Sequence, residues 1–221
     1  TGKLHKKIFV IKKKVKFLKT HNSLITAFGN DFTKPEYTLG VIYVIRDPRN
    51  VITSVKNHND LDSYDEALKF MQDENKVLED YPHLKNYAKT NIVNSWRINY
   101  RSWLSNKSFR RVTIRYEDMV KNPTQTFEKL VVFVNTLMRF DNKIDKKKLN
   151  NAIDTTNFKS LQNIENAGKF GENVYSLKDN RKIKFFYQGP ENDWKKNLDE
   201  NMIKKMNEYY RNDLKFFQYE N

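Results

Sequence analysis

The chain has 221 residues, 38% of them hydrophobic and 14% aromatic, including 15 Phe and 12 Tyr; that apolar mass excludes wholesale disorder, and the length suits a single domain over 1–221. No cysteine is present, which excludes a thiol nucleophile, an iron–sulfur cluster, a cysteine-based zinc site and a disulfide scaffold, and fits a reducing compartment. Lys and Arg number 41 against 27 Asp and Glu, a surplus of +14; this favours anionic partners, although AT-rich coding would produce the same wealth of Lys, Asn, Ile, Tyr and Phe.

Residue 1 is Thr, and the apolar run Ile8 to Ile11 between Lys6-Lys7 and Lys12 to Lys14 is too short for a signal peptide. The native start is therefore expected upstream, the expected location is cytoplasmic, and no membrane-spanning helix is expected. Val15 to Lys19 reads as a short strand ending at Thr20-His21-Asn22, and residues 23 to 40 as loop. Val41 to Ile45 is an unbroken apolar run, the pattern of a strand buried on both faces in a parallel sheet. Asp47-Pro48 then reads as an N-cap followed by proline at the first helical position, with Val51, Ile52 and Val55 on the apolar face. Residues 64 to 80 and 84 to 105 read as helices, the second with a stripe of Trp96, Tyr100 and Trp103 that is expected in the core. Arg111 to Arg115 is another strand. Asn122-Pro123 with Gln125 opens an amphipathic helix carrying Phe127, Leu130, Val131 and Val134. Residues 145 to 154 are expected to be helical, 162 to 184 irregular, and Asp199 to Phe217 one helix with Ile203, Met206, Tyr210, Leu214 and Phe217 on one side.

Strand–helix alternation predicts an α/β fold with a parallel sheet, in which ligands bind beyond the carboxyl ends of the strands. Three segments stand there: Lys19-Thr20-His21, Arg46 to Ser54 and Arg115 to Asp118. Arg46, the following helix N-terminus and Ser54 can together hold a phosphate; otherwise Arg46 pairs with a local carboxylate and Ser54 faces solvent. His21 beside Lys19 can be a general base next to a cation, or simply an exposed histidine. His58 is expected to be structural or exposed, His5 and His83 have no visible partner, and the runs Lys12 to Lys14 and Lys146 to Lys148 read as solvated faces.

Taken together, Lys19-Thr20-His21, the segment Arg46-Asp47-Pro48-Arg49-Asn50-Val51-Ile52-Thr53-Ser54, Arg115-Tyr116-Glu117-Asp118-Met119 with Asn122-Pro123, Thr156-Asn157-Phe158, and Gly189 with Asp193-Trp194-Lys195 resemble, in order and spacing, the cytosolic-type sulfotransferase family. Its members move a sulfuryl group from 3′-phosphoadenosine 5′-phosphosulfate (PAPS) to a hydroxyl or amine and release adenosine 3′,5′-bisphosphate. The resemblance runs from about Val15 to the end of the chain and implies a P-loop-NTPase-like sulfotransferase topology. It implies Arg46 and Ser54 at the 3′-phosphate, His21 as general base and Lys19 near the sulfuryl group. It further implies Tyr116 and Thr156 at the adenosine, Phe158 near its base, and Gly189 and Trp194 in the segment folded over the cofactor. No metal is implied. The acceptor it implies is a small alcohol, phenol, amine or saccharide, bound by the loops 23 to 40, 56 to 83 and 162 to 180.

Two departures stand out. The family's first strand and its loop of the type Pro-Lys-Ser-Gly-Thr-Thr-Trp find no match, so the chain is expected to begin just after that loop, or else to be a member that lacks it; activity of the chain by itself is not expected. Where many members carry Arg-Lys-Gly, this chain has Tyr187-Gln188-Gly189, and Arg181, Lys182 or Lys184 is the candidate replacement. The alternative function is a non-catalytic basic module binding anions or nucleic acid; no nucleic-acid motif supports it. A nucleotide kinase would need a Gly-Lys-Ser/Thr loop and a magnesium carboxylate, and neither is found.

Overall fold

Asx turns, proline and side-chain caps cut the chain into short elements, seen in a computed structural model that describes residues 15–27, 29–79, 90–141, 143–172, 174–176 and 178–219. In chain order they are β1 (Thr26–Ala27), β2 (Asn30–Asp31), β3 (Val41–Ile45), α1 (Pro48–His58), α2 (Tyr64–Gln72), β4 (Val77–Glu79), β5 (Thr90–Ile92), α3 (Trp96–Leu104) and β6 (Arg111–Arg115). Then follow α4 (Tyr116–Lys121), α5 (Pro123–Met138), α6 (Lys146–Thr155), α7 (Phe158–Asn166), β7 (Val174–Tyr175), β8 (Lys182–Ile183), α8 (Trp194–Asn197), α9 (Glu200–Tyr209) and α10 (Arg211–Phe216), with a 3₁₀ turn at Gly189–Glu191. Two compact units result, one of residues 1–41 and 72–111, the other of 42–71 and 112–221.

In the first unit, β1 and β2 pair antiparallel, with Thr26 opposite Asp31. Strands β4 and β5 also pair antiparallel, with Val77 opposite Ile92. The helix read over 64 to 80 thus stops at Gln72, because the Asp73 carboxylate accepts from the Asn75 amide and turns the chain toward β4. The helix read over 84 to 105 begins only at Trp96: Ser95 caps it by accepting from the Ile98 amide, while 90 to 92 are strand, and 84 to 89 lie outside the described residues. Tyr100 and Trp103 are buried as the stripe predicts, with Trp103 edge-on to Phe32 at 5.9 Å. The strand read at Val15 to Lys19 is not formed; Phe17 is 73% exposed, and among the described residues no neighbouring strand offers it a ladder. Ile8 to Ile11, the first lysine run, His5 and His83 lie outside the described residues.

In the second unit, β3 and β6 form a two-stranded sheet. Ile45 is buried, but Ile42 and Val44 are 37% and 50% exposed. The expected burial of β3 on both faces is therefore corrected: one face stands open, because no described element covers it. The cap after β3 is as read. Asp47 accepts from the Arg49 amide at 2.9 Å with Pro48 behind it, and α1 turns Ile52 into the core. Proline also opens α5, though Asn122 makes no side-chain cap; the Thr126 hydroxyl instead donates to the Asp118 carbonyl. Two further readings change. Residues 162 to 184 are not wholly irregular, since Asn157 caps α7 by accepting from the Ser160 amide, and β7 pairs antiparallel with β8. The tail helix breaks at Tyr210, yet Met202, Met206, Tyr210, Leu214 and Phe217 still bury one side. Helices α8 and α9 pack against α1.

Candidate functional site

Arg46 leaves β3 where the sheet ends, and α1 starts two residues later. Its Nη2 donates to the Gly189 carbonyl at 2.7 Å, and its guanidinium carbon lies 4.3 Å from the centre of the Tyr116 ring. Its Nε is buried with no hydrogen-bond partner among the described residues. Burial draws the Arg46 pKa below the ordinary guanidinium value and pushes the Tyr116 phenol up; both shifts arise from lost hydration. A cation stripped of water, with a donor still unspent, suits an oxyanion. A carbonyl and a ring, not a local carboxylate, hold Arg46.

The local carboxylate goes to Arg49. Arg49 and Asp47 form a buried pair at 2.8 Å. The Arg49 guanidinium also donates to Asn207 Oδ1 at 3.0 Å and to the Tyr219 carbonyl, and its carbon sits 4.1 Å from the Trp194 ring centre. Glu117 joins the same junction, with one oxygen accepting from the Asp47 amide and the other from the Tyr219 hydroxyl, each at 3.0 Å. Asn50 ties down the segment after Gly189: its carbonyl accepts from Asn192 Nδ2 at 2.7 Å and its Oδ1 from the Trp194 amide at 2.9 Å.

Gly189 has φ +52, and a Cβ there would lie 2.1 Å from Phe158 Cε2; the Phe158 ring needs that space. Phe158 is also edge-on to Phe186 at 6.0 Å. The buried Glu165 carboxylate accepts from the amides of Phe185 and Phe186 at 2.6 and 2.9 Å, which holds the run leading to Gly189. Arg46, Tyr116, Phe158 and Gly189 are thus brought together. Ser54 is exposed on α1. Thr156 is exposed as well, and its hydroxyl donates to the Ala152 carbonyl at 2.6 Å, inside its own helix. Arg181 pairs with Asp60 at 3.2 Å and Asp179 at 3.5 Å, so local carboxylates compensate its charge. Lys182 lies in β8, and the Lys184 carbonyl accepts from Asn57. His58 is exposed and lies edge-on to Phe185 at 5.8 Å. Glu165 and Tyr219 are not singled out by sequence; Asn50 and Glu117 stand in the segments just past β3 and β6 that the sequence points to, without a role assigned there.

Lys19 and His21 belong to the first unit, the nucleotide candidates to the second. Lys19 and His21 are exposed, but the backbone around them is held. The His21 carbonyl accepts from Asn99 Nδ2 at 3.0 Å and the Asn22 carbonyl from Trp103 Nε1 at 2.9 Å. The buried Ser23 hydroxyl donates to the Val93 carbonyl at 2.8 Å. Trp103 therefore anchors the His21 segment as well as filling the core.

The family model described as a sulfotransferase domain matches residues 5–218, and the chain belongs to that family. Among solved structures it is similar to mouse sulfotransferase SULT7A1 complexed with PAP, at 18% identity and TM-score 0.52, over 80% of this chain and 58% of that one. It is also similar to retinol dehydratase in complex with androsterone and inactive cofactor PAP, at 17% identity and TM-score 0.62, over 96% and 56% of the two chains. Retinol dehydratase in a complex with retinol and PAP matches at 17% identity and TM-score 0.54, over 82% and 49%. The chain spans about half the length of the solved structures it matches. The fold is accordingly the α/β fold of the sulfotransferases, the P-loop-like topology expected from the sequence. Among the described residues no helix is long and apolar enough to cross a membrane.

Proposed function

We propose that this chain carries the nucleotide-binding and base-bearing parts of a PAPS-dependent sulfotransferase, and that its two units act as one sulfotransferase-like domain. The observation that carries the reading is Arg46, a partly dehydrated guanidinium at the sheet's carboxyl edge whose Nε has no partner. The residues present fit the nucleotide's phosphate end: a cation with a spare donor, the start of α1 beside it, and an exposed Ser54 hydroxyl two turns along. In this reading Arg46 and Ser54 hold the 3′-phosphate, Tyr116 and Thr156 flank the adenosine, and Phe158, seated on Gly189, meets the base. Bound PAPS supplies the sulfuryl group and departs as adenosine 3′,5′-bisphosphate. His21 takes the proton from the acceptor hydroxyl or amine, and Lys19 offsets the negative charge that builds between acceptor and donor oxygens. PAP in the solved relatives supports the nucleotide, and androsterone and retinol in the retinol dehydratase structures favour a small hydroxyl-bearing acceptor over a saccharide.

Titration with adenosine 3′,5′-bisphosphate tests the reading. Micromolar binding is expected, weakened about 10- to 100-fold in Arg46→Ala, the loss of one charge-assisted contact. Equal affinity in the two proteins would remove Arg46 from the site, and binding of single-stranded nucleic acid in place of the nucleotide would favour a non-catalytic module. In a protein carrying the upstream loop, His21→Ala should abolish transfer while nucleotide binding persists.

A further inference from the structure

Helix α7 turns three side chains toward the run that ends at Gly189, all within the second unit. Phe158, Gln162 and Glu165 stand at i, i+4 and i+7, one stripe of the helix. Phe158 meets Gly189 and lies edge-on to Phe186. Gln162 Nε2 donates to the Phe186 carbonyl at 3.2 Å. Glu165 Oε1 accepts from the Phe185 amide at 2.6 Å, and its Oε2 from the Phe186 amide at 2.9 Å. One helix face thus binds both amides and one carbonyl of a single dipeptide. Phe170, just past α7, closes the group, its ring 5.0 Å from Phe185 and 4.8 Å from Phe186.

The choice of a glutamate there is informative. Glu165 is buried, and among the described residues no Lys or Arg pairs with it. A carboxylate buried without a cation loses hydration that only strong hydrogen bonds offset. What the charge provides is an oxygen for each of two neighbouring amides. From Phe185 to Gly189 the run carries no cation, so a bound anion has no side-chain charge there to draw the run down. The hold comes from α7 instead. The Gly189 carbonyl at the end of the run accepts from Arg46, so a loose run would loosen that guanidinium as well.

We propose that Glu165 is a positioning residue, a clamp that sets residues 185 to 189 in place before any nucleotide arrives, so that binding does not have to order them. The effect on nucleotide affinity rests on the function proposed above; the clamp does not. Amide hydrogen exchange of the full chain without ligand tests it. The Phe185 and Phe186 amides are expected to be protected, and to exchange about 10- to 100-fold faster in Glu165→Ala, through the loss of one charge-assisted bond each. The amides of α9 should keep their rates. Glu165→Gln retains one carbonyl oxygen, so one of the two amides should stay slow, and this variant carries the test if the alanine variant does not fold. Adenosine 3′,5′-bisphosphate should bind Glu165→Gln roughly 10-fold more weakly. The same substitution should weaken binding less in an Arg46→Ala background, where the Gly189 carbonyl has no guanidinium to orient. Fast exchange at 185 and 186 in the parent, unchanged exchange in the variants, or equal losses of affinity in the two backgrounds would overturn the proposal. Protection lost in the variants, with no nucleotide bound by the parent, would instead remove the function proposed above and leave the clamp standing.

Discussion

Arg46 and Gly189 meet at one hydrogen bond, and each restricts what the other residue can become. Lysine at 46 would keep the charge but lose the planar fork that faces the Gly189 carbonyl and the Tyr116 ring together. At 189 the backbone is left-handed and the Phe158 ring fills the space of a side chain. Gly189→Ala is expected to cost about 1–3 kcal/mol, through strain and overpacking, and to shift Phe158. Thermal unfolding measures this; a melting point equal to that of the parent would mean that the ring yields freely. The same variant should bind adenosine 3′,5′-bisphosphate more weakly, because the carbonyl that orients Arg46 moves with the backbone.

Helix α1 owes its start to Asp47, which caps the first turn and faces the buried Arg49 guanidinium. Asp47→Ala removes both roles and leaves a buried cation uncompensated, a loss of about 3–5 kcal/mol. Asp47→Asn keeps a capping oxygen and should lose less. Urea unfolding of the two variants separates the cap from the ion pair, and equal losses would show that the cap adds nothing. Helix α3 is a second case. Ser95→Ala deletes its cap, worth about 1 kcal/mol. Because α3 carries Asn99, Ser102 and Trp103, which hold the backbone of residues 21 to 24, amide hydrogen exchange in that segment should quicken. Unchanged exchange there would uncouple α3 from His21.

Across the whole molecule, the surplus of +14 should draw anionic ligands in, so that nucleotide association slows as salt shortens the screening length from about 10 Å at 0.1 M. Stopped-flow rates at two salt concentrations check this. The chain's last described residue also bears on pH. Burial first, then Glu117, pushes the Tyr219 phenol well above its ordinary value. A raised folded pKa means that the protonated phenol is the form the fold prefers. Its contribution is therefore complete below the unfolded value of about 10 and is lost as pH rises beyond it. Stability measured by urea between about pH 8 and about pH 11 should fall in the parent and fall less in Tyr219→Phe. Parallel profiles would show that Tyr219 does not titrate with unfolding.

The sequence by itself determined the elements whose signals lie within a few residues: β3 into the Asp47-Pro48 cap and α1, the proline-opened α5, and the aromatic stripe of α3. Caps and periodicity act over one or two turns, so local chemistry suffices for them. The order of motifs also pointed to the family and to Arg46, Tyr116, Phe158 and Gly189. Tertiary structure decided what depends on distant partners. Thr90–Ile92 is a strand because β4 lies beside it. Ile42 and Val44 are exposed because no described element covers them, although an apolar run reads the same whether or not something does. Glu117 finds Tyr219 across 102 residues, and Glu165 finds the amides before Gly189. Such pairings arise when separate stretches fold against each other, and no window of sequence contains both halves.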